Sequence, residues 1–251
     1  MSGLDGLPVP SRNWALFLDF DGTLVDLAPK PDLVEVPAGL TGLLQKLSTQ
    51  LDGALAIVTG RELCDVDGFL RLMLPGAGIH GAELRRKMGD ATIVMDDSRG
   101  LADVIAELEP LIAGDPRLIL QLKSAAFTLH YRLAPERETE MRDLAARAVK
   151  GHENLELMFG KMMVEVKPKG ADKGTGMERL MQAPPFSTRV PVFIGDDITD
   201  EDGFKFVKNH AGLAIKVGDG TSSADHRLSS PAAVFEWLMD MSAYFERKSR
   251  R

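Results

Sequence analysis

The chain has 251 residues, of which 44% are hydrophobic, and its formal net charge is −7. This length suits one large or two small domains, and the negative charge gives no basic surface for nucleic acid. The single cysteine, Cys64, excludes an internal disulfide. Residues 1–13 lack the pattern of a signal peptide, and no apolar run has membrane-spanning length. We expect a cytoplasmic monomer that binds neither nucleic acid nor a membrane.

The first third of the chain alternates between short apolar runs and apolar residues at helical spacing. These patterns predict strands at 16–19 and 54–59, helices at 37–51 and 61–74, and a strand end at 78–82. Such alternation is typical of a parallel sheet with helices on both faces. Cys64 falls in the second helix, where we expect it to be buried.

The middle of the chain has a different pattern. It predicts a strand at 92–95, helices at 101–112 and 136–149, and hairpins at 118–132 and 155–166. The first pattern then returns, with helices at 173–181 and 201–208, strands at 190–194 and 212–217, and a frayed charged end at 246–251. We therefore predict an α/β fold with a Rossmann-like parallel-sheet core, residues 1–84 and 168–251, and an inserted α+β domain at 85–167.

Two acidic segments follow predicted buried strands. Asp19 and Asp21 come directly after the first strand, and Asp196 follows the strand at 190–194. The carboxyl ends of strands in open α/β sheets are where ligands bind. Carboxylates gathered there repel one another unless a cation lies between them, and Mg²⁺ prefers such oxygen ligands. The two segments therefore indicate metal-assisted phosphoryl transfer.

Each of these residues also has an ordinary structural interpretation. Asp21 and Gly22 could form a plain turn, although Asp19 and Asp21 would share one side of an extended strand end and could divide the roles of nucleophile and proton carrier. Asp200, Glu201 and Asp202 could cap and charge a helix N-terminus. Asp196 lies nearest the strand end and is the best candidate ligand.

Phosphate contacts are predicted at two further places. Thr59, Gly60 and Arg61 end a strand and open a helix, where backbone N–H groups and a hydroxyl can bind phosphate oxygens, although a plain helix cap is the more frequent meaning of such a segment. Lys173 lies near a helix start, where it opposes the helix dipole. Neutralising crowded carboxylates would explain its position, and a solvated surface lysine is the alternative.

Polar residues alternate along the predicted strands of the inserted domain. Gln121 and Lys123 share one face, as do His130 and Arg132, and as do Glu165 and Lys167. The pattern favours the solvated face of a half-covered antiparallel sheet. A sugar-binding face is the functional alternative.

Taken together, the motifs Asp19-Phe20-Asp21-Gly22-Thr23, Thr59-Gly60-Arg61, Lys173 and Gly195-Asp196-Asp197 resemble those of the haloacid dehalogenase superfamily. The inserted domain resembles that superfamily's α+β cap. Further segments, at 79–83, 129–132, 165–170 and 195–202, resemble the trehalose-6-phosphate phosphatases. This resemblance covers most of the chain and implies Mg²⁺-dependent hydrolysis of trehalose 6-phosphate in trehalose biosynthesis.

The resemblance also implies residue roles. Asp19 would be the nucleophile that forms an aspartyl phosphate, and Asp21 would be the general acid and then the base. Thr59 and Lys173 would hold phosphate oxygens. The metal residues would be Asp19, Asp21 through its carbonyl, Asp196 and, in support, Asp197 and Asp200. The implied substrate contacts are Gly60, Arg61, His80, Gly81, Glu83, Gln121, Lys123, His130, Arg132 and Glu165.

One residue departs from the family pattern. Gln121 stands where a glutamate is usual, which keeps hydrogen bonding and removes a charge. A phosphatase for another sugar phosphate is therefore a second interpretation, and a non-catalytic sugar-phosphate sensor is a third.

Overall fold

The computed structural model describes residues 6–28, 30–94 and 98–249. The described chain forms two compact units, one of residues up to Ile93 and from Asp172 onward, the other from Val94 to Ala171. The elements in chain order are β1 (Trp14–Leu18), α1 (Leu40–Gln50), β2 (Leu55–Val58), α2 (Leu63–Leu70), β3 (Gly76–Gly78), β4 (Glu83–Arg85), β5 (Ile93–Val94), α3 (Leu101–Ile112), β6 (Ile119–Leu122), β7 (Phe127–His130), α4 (Glu138–Val149), β8 (Leu155–Gly160), β9 (Met163–Pro168), α5 (Lys173–Met181), β10 (Val190–Gly195), α6 (Glu201–Asn209), β11 (Leu213–Val217), β12 (His226–Leu228) and α7 (Pro231–Ser249).

The first unit is built on an eight-stranded sheet in the order β12-β11-β10-β1-β2-β3-β4-β5. The six strands from β12 to β3 pair in parallel, and β4 is antiparallel to β3. All residues of β1 and β2 are buried. Their continuous apolar sequences fit strands whose two faces are both covered, as the sequence predicted.

The second unit is a four-stranded antiparallel sheet in the order β6-β7-β9-β8. The helices α3 and α4 contact each other, and α4 packs on β8 and β9. One face of the sheet therefore contributes to an apolar core that includes Phe127, Leu129, Val164 and Val166. The predicted α/β class with an α+β insertion is confirmed by these two sheets.

The junctions between the units lie later than the sequence predicted. The predicted boundaries fell after residues 84 and 167, whereas the units change after Ile93 and after Ala171. The first sheet continues through β4 and β5, so the chain stays in that sheet beyond residue 84. The strand at 92–95 is observed as Ile93–Val94, and Met95 lies outside the described residues.

Three local predictions are wrong. Residues Ile79–Gly81 form a 3-10 turn rather than a strand end, and His80 within it has a left-handed backbone with φ of 54°. Cys64 is exposed, because it lies on the outer side of α2. The charged end continues α7 through Ser249, and the last two residues lie outside the described part.

Three of the strands and helices were not predicted: the strands β4 and β12 and the helix α7. The short strand β12 extends the sheet beside β11. The helix α7 buries Val234, Trp237, Leu238, Met241 and Phe245 at helical spacing, and the Trp237 ring stacks on Trp14 with 6.3 Å between centroids. None of the helices among the described residues is long and apolar enough to cross a membrane.

Candidate active site

The two acidic segments meet because their strands are neighbours. β1 and β10 pair in parallel with Leu18 opposite Ile194, so the residues that follow them emerge at the same sheet edge. Gly22 turns the chain after β1 with φ of 72°, and a Cβ at Gly22 would lie 2.2 Å from Asp196 Oδ2. Only glycine at this position lets the carboxylate of Asp196 approach the loop that carries Asp19 and Asp21.

Lys173 lies between two buried carboxylates. Its Nζ is 2.8 Å from Asp19 Oδ1 and donates to Asp200 Oδ1 at 2.6 Å. The lysine side chain is 3% exposed, so the predicted alternative of a solvated surface lysine is excluded. Lys173 begins α5, and Asp172 caps that helix by accepting from Thr175 N at 2.7 Å. The carboxylate of Asp172 therefore lies next to Lys173 in the chain. The positive charge of Lys173 is unfavourable with respect to the helix dipole at this position, and the capping carboxylate offsets it.

Asp200 holds the second acidic loop together. Its Oδ2 accepts from the backbone N–H groups of Asp196 and Asp197, at 2.9 and 2.8 Å, while its Oδ1 accepts from Lys173. Asp200 is fully buried. Both of its oxygens are therefore used within the protein, and its role is to position Asp196 and Lys173.

Three carboxylates converge at this edge. Oxygens of Asp19, Asp196 and Asp200 lie within 4.8 Å of one another. Asp197, which the sequence grouped with them, is exposed and accepts from Ile198 N at 2.6 Å. Among the described residues, Lys173 is the cation that forms ion pairs with this cluster, to Asp19 and Asp200. Negative charge is thus in excess around Asp19 and Asp196.

This excess of negative charge contributes to the raised pKa values of Asp19 and Asp196. Burial, and then the nearby Asp200 charge, raise the pKa of Asp19 well above its ordinary value, against the opposing effect of Lys173. Burial and Asp200 also raise the pKa of Asp196 to about 6. Burial alone would lower the pKa of Lys173, but the charges of Asp19 and Asp200 raise it. Oxygen donors at this spacing, short of positive charge, fit a hard divalent cation such as Mg²⁺.

The segment after β2 lies next to the general-acid candidate. Arg61 binds both carboxylate oxygens of Asp21, through Nε at 2.6 Å and Nη2 at 2.8 Å. Its guanidinium also lies over the Phe69 ring, 5.2 Å from the centroid. Buried Thr59 accepts from Arg61 N at 3.1 Å. The structure thus brings Arg61 to Asp21, a contact that the sequence did not predict.

The predicted substrate residues His80, Gly81 and Glu83 lie close to the loop of residues 59–61. A Cβ at Gly60 would be 2.6 Å from His80 Nε2, so the buried imidazole packs directly on the loop. Glu83 is buried and accepts from Leu63 N at 2.8 Å, which satisfies the start of α2. Gly81 O accepts from Arg179 at 3.0 Å. These contacts support the Thr59–Arg61 loop.

Sequence reasoning missed Lys216. This lysine lies on β11 opposite Gly195, is 6% exposed, and donates to the backbone carbonyls of Asp196 and Val217. Lys216 therefore holds the backbone carbonyl of Asp196, while Asp200 holds the backbone N–H of the same residue. A lysine inside an otherwise apolar strand run was the available signal.

The second unit has a polar row on one face of its sheet. Thr128 lies opposite Gln121 on one side and opposite Glu165 on the other. Glu165 Oε2 accepts from Lys123 Nζ at 2.6 Å and from Thr128 Oγ1 at 2.9 Å. The Lys123 and Glu165 side chains are 10% and 2% exposed. The preferred prediction of a solvated face is therefore wrong for this pair.

The remaining polar residues of this face are more open. His130 Nε2 and Gln121 Oε1 are 2.9 Å apart, and both residues are half-buried. Burial, and then the Lys123 and Arg132 charges, lower the pKa of His130, against Glu165. Arg132 is exposed beyond the end of β7. The row is thus an internally paired polar surface.

Comparisons with known proteins give a consistent result. The family model described as trehalose-phosphatase matches residues 17–233. The chain is 39% identical over 242 residues to the trehalose-6-phosphate phosphatase of Escherichia coli, covering 96% of this chain and 91% of that protein. It is 40% identical over 232 residues to a probable trehalose-phosphate phosphatase of Sinorhizobium fredii, covering 92% and 87%.

Solved structures agree on the fold. A trehalose-6-phosphate phosphatase related protein superposes with a TM-score of 0.78 at 26% identity, covering 93% of this chain and 99% of that one. A haloacid dehalogenase-like hydrolase from Bacteroides thetaiotaomicron has a TM-score of 0.67 at 16% identity, covering 93% and 98%. The predicted fold type is confirmed by these likenesses.

Proposed function

Because the chain belongs to the trehalose-phosphatase family, we propose that it hydrolyses trehalose 6-phosphate to trehalose and phosphate, as a step of trehalose biosynthesis in the cytoplasm. The observation that carries this proposal is the group formed by buried Asp19, buried Lys173 and half-buried Asp196 at one sheet edge. It combines a carboxylate nucleophile, a cation for phosphate oxygens and donors for a metal ion.

Asp19 is the proposed nucleophile. Its carboxylate would attack phosphorus, and the bond from phosphorus to the sugar oxygen would break, leaving an aspartyl phosphate. Lys173 Nζ, 2.8 Å from Asp19 Oδ1, holds the carboxylate in place and lies within reach of the incoming phosphate oxygens. Thr59 would add a hydroxyl donor to those oxygens.

Asp21 is the proposed proton carrier. It would donate a proton to the departing sugar oxygen, and would then accept one from the water that attacks the aspartyl phosphate. Arg61 holds both Asp21 oxygens through its guanidinium. This pairing orients the carboxylate and must loosen when Asp21 carries its proton.

A Mg²⁺ ion would be held by the carboxylates of Asp19 and Asp196 and by the carbonyl of Asp21, with Asp200 positioning the loop. When bound, it would neutralise phosphate charge in the transition state. Asp197 would contribute to this site through its backbone N–H bond to Asp200. Charge stabilisation matters here because uncatalysed hydrolysis of phosphate monoesters is exceptionally slow.

The second unit is the proposed source of sugar contacts. Gln121, Lys123, His130, Arg132 and Glu165 offer donors and acceptors of several kinds for a polyhydroxylated ligand. Lys123 and Glu165 form an ion pair at 2.6 Å with side chains 10% and 2% exposed, which fixes both side chains before a ligand binds. Gln121 favours a second candidate, a phosphatase of the same chemistry that acts on another sugar phosphate.

The test is a substrate panel with Mg²⁺. Phosphate release would be followed from trehalose 6-phosphate, glucose 6-phosphate and sucrose 6-phosphate. We expect selective release from trehalose 6-phosphate. Faster release from another ester would keep the Asp19 chemistry and replace the substrate. Binding of trehalose 6-phosphate without release of phosphate from any ester would support a sensor instead.

A further inference from the structure

A cavity lined mostly by polar residues lies beside the sheet edge that carries Asp19 and Asp196, wholly within the first unit. It has a volume of about 450 Å³, and Asp196 lines it together with Lys216 and the loop after β11. Asp196 therefore belongs both to the carboxylate cluster and to this cavity. A ligand that reaches the cluster could extend into the cavity without leaving the first unit.

Hydrogen bonds within the protein hold the walls of this cavity in place before any ligand binds. On one side, Glu201 Oε2 accepts from Ser223 N at 2.9 Å and from Ser223 Oγ at 2.6 Å. Lys208 Nζ donates to Ser223 O at 2.7 Å and to Asp225 Oδ1 at 2.8 Å. On the other side, Asp200 holds the Asp197 backbone. Such preorganisation lowers the cost of ordering a binding loop.

The charge of the cavity favours a neutral ligand. Carboxylates of Asp197, Glu201 and Asp219 line it, whereas the Lys216 ammonium donates to the backbone carbonyls of Asp196 and Val217. A second phosphate would therefore meet excess negative charge. Ligand hydroxyl groups, in contrast, can donate to these carboxylates and accept from the hydroxyl of Thr221.

Two features show unused binding capacity. Within the described part of the chain, the side chains of Asp219 and Thr221 make no hydrogen bond or ion pair, so their donors and acceptors are available. Ile198 lines the same cavity and is 78% exposed, so its apolar side chain is available to a ligand. An apolar surface beside carboxylates and hydroxyls matches a sugar ring, whose faces carry C–H groups and whose rim carries O–H groups.

We propose that this cavity is a carbohydrate subsite of the catalytic unit that binds the non-phosphorylated ring of a disaccharide phosphate. The inference rests on the proposed function, because it uses the same phosphate position. It adds specificity residues, Ile198, Asp219 and Thr221, that belong to the first unit rather than to the polar face of the second. A monosaccharide ester has no second ring and cannot use the subsite.

The test compares two substrates in each variant. Thr221→Ala and Ile198→Ser should each lower kcat/KM for trehalose 6-phosphate relative to kcat/KM for p-nitrophenyl phosphate by about three- to tenfold. The loss should appear in KM, because ring contacts are equal in the ground and transition states. Matched controls are Thr49→Ala, an exposed threonine of α1, and Val9→Ser, another exposed apolar residue. Both controls should leave the ratio unchanged.

Several results would overturn the subsite. Equal losses for both substrates would assign these residues to the phosphate site. An increase in the Mg²⁺ concentration needed for half-maximal rate, with an unchanged substrate ratio, would assign the cavity to a cation. An unchanged ratio in both variants would leave the cavity without a role in sugar binding.

The proposed function can fail separately. If the wild-type protein releases phosphate from p-nitrophenyl phosphate but not from trehalose 6-phosphate, the substrate assignment is wrong. The variants would then be compared on the disaccharide ester that is turned over, such as sucrose 6-phosphate. A selective KM increase there would support the subsite, and none would contradict it.

Discussion

The two units of this chain treat buried charge in opposite ways. In the first unit, Asp19, Asp196 and Asp200 crowd together around a single lysine, and burial raises the pKa values of Asp19 and Asp196. In the second unit, the buried Glu165 has its own lysine partner at 2.6 Å. We infer from this comparison that unbalanced carboxylates mark the proposed reaction site, since they need a cation, whereas the paired Glu165 needs none.

Among these tests, removing the proposed nucleophile should have the largest effect on phosphate release. Asp19→Asn should lower phosphate release by about a thousandfold or more, because the amide cannot form the aspartyl phosphate. Far-ultraviolet circular dichroism should show an unchanged fold. Substantial activity in this variant would refute the assigned mechanism.

Removing the lysine that pairs with Asp19 and Asp200 should damage both activity and stability. Lys173→Met leaves Asp19 and Asp200 buried without their partner, which should cost about 3–5 kcal/mol in the free energy of unfolding measured with urea. The matched control is Lys46→Met, whose ion pair with Glu246 is about half exposed and should matter by less than about 1 kcal/mol. Similar losses in the two variants would show that the buried ion pairs of Lys173 contribute no more to the free energy of unfolding than an exposed pair does.

The excess negative charge also predicts an unusual pH dependence of the free energy of unfolding. The pKa of Asp196 is raised from 3.8 to about 6 in the folded protein, so the folded state keeps a proton that the unfolded chain has already released. The contribution of this group to stability therefore falls as pH rises from near 4 to near 6.

Replacing Asp196 by a neutral residue should remove this fall in the free energy of unfolding at higher pH. In chelator near pH 7.5, Asp196→Asn should unfold with a free energy about 1 kcal/mol above the wild type, after allowance for solvent screening, and the difference should vanish near pH 4. Added Mg²⁺ should stabilise the wild type more than the variant. A variant that is less stable than the wild type in chelator would argue against crowded charge.

The smallest effect is expected in the second unit. Gln121→Glu should change kcat/KM for trehalose 6-phosphate by less than about threefold or raise it, because a carboxylate can take over the contact with His130 at 2.9 Å. Steady-state kinetics would measure this. A collapse of activity would show that Gln121 does more than contact the sugar.

The sequence predicted that the two acidic segments follow buried strands because the signals there are local. Apolar runs located β1 and β10, and the residues directly after them had to emerge together once the strands were parallel neighbours. Lys173 was identified by its unfavourable position at a helix start. In each case a short segment carried enough information to place the side chain.

The missed features depend on contacts between distant segments. The pairing of Arg61 with Asp21 joins loops after two different strands, and neither loop alone indicates it. The carbonyl contact of Lys216 likewise requires knowing that β11 lies beside β10. The turn at His80 was misread because its apolar neighbours resemble a strand, while a positive φ leaves no trace in hydrophobic periodicity.

The metal dependence of phosphate release tests the proposed role of the Asp19 and Asp196 carboxylates most directly. Metal-stripped protein would be assayed with trehalose 6-phosphate in chelator and during titration with Mg²⁺. We predict negligible release in chelator and full recovery with Mg²⁺, because crowded carboxylates of the first unit need a cation before they can bind an anionic substrate. Undiminished release in chelator would contradict it.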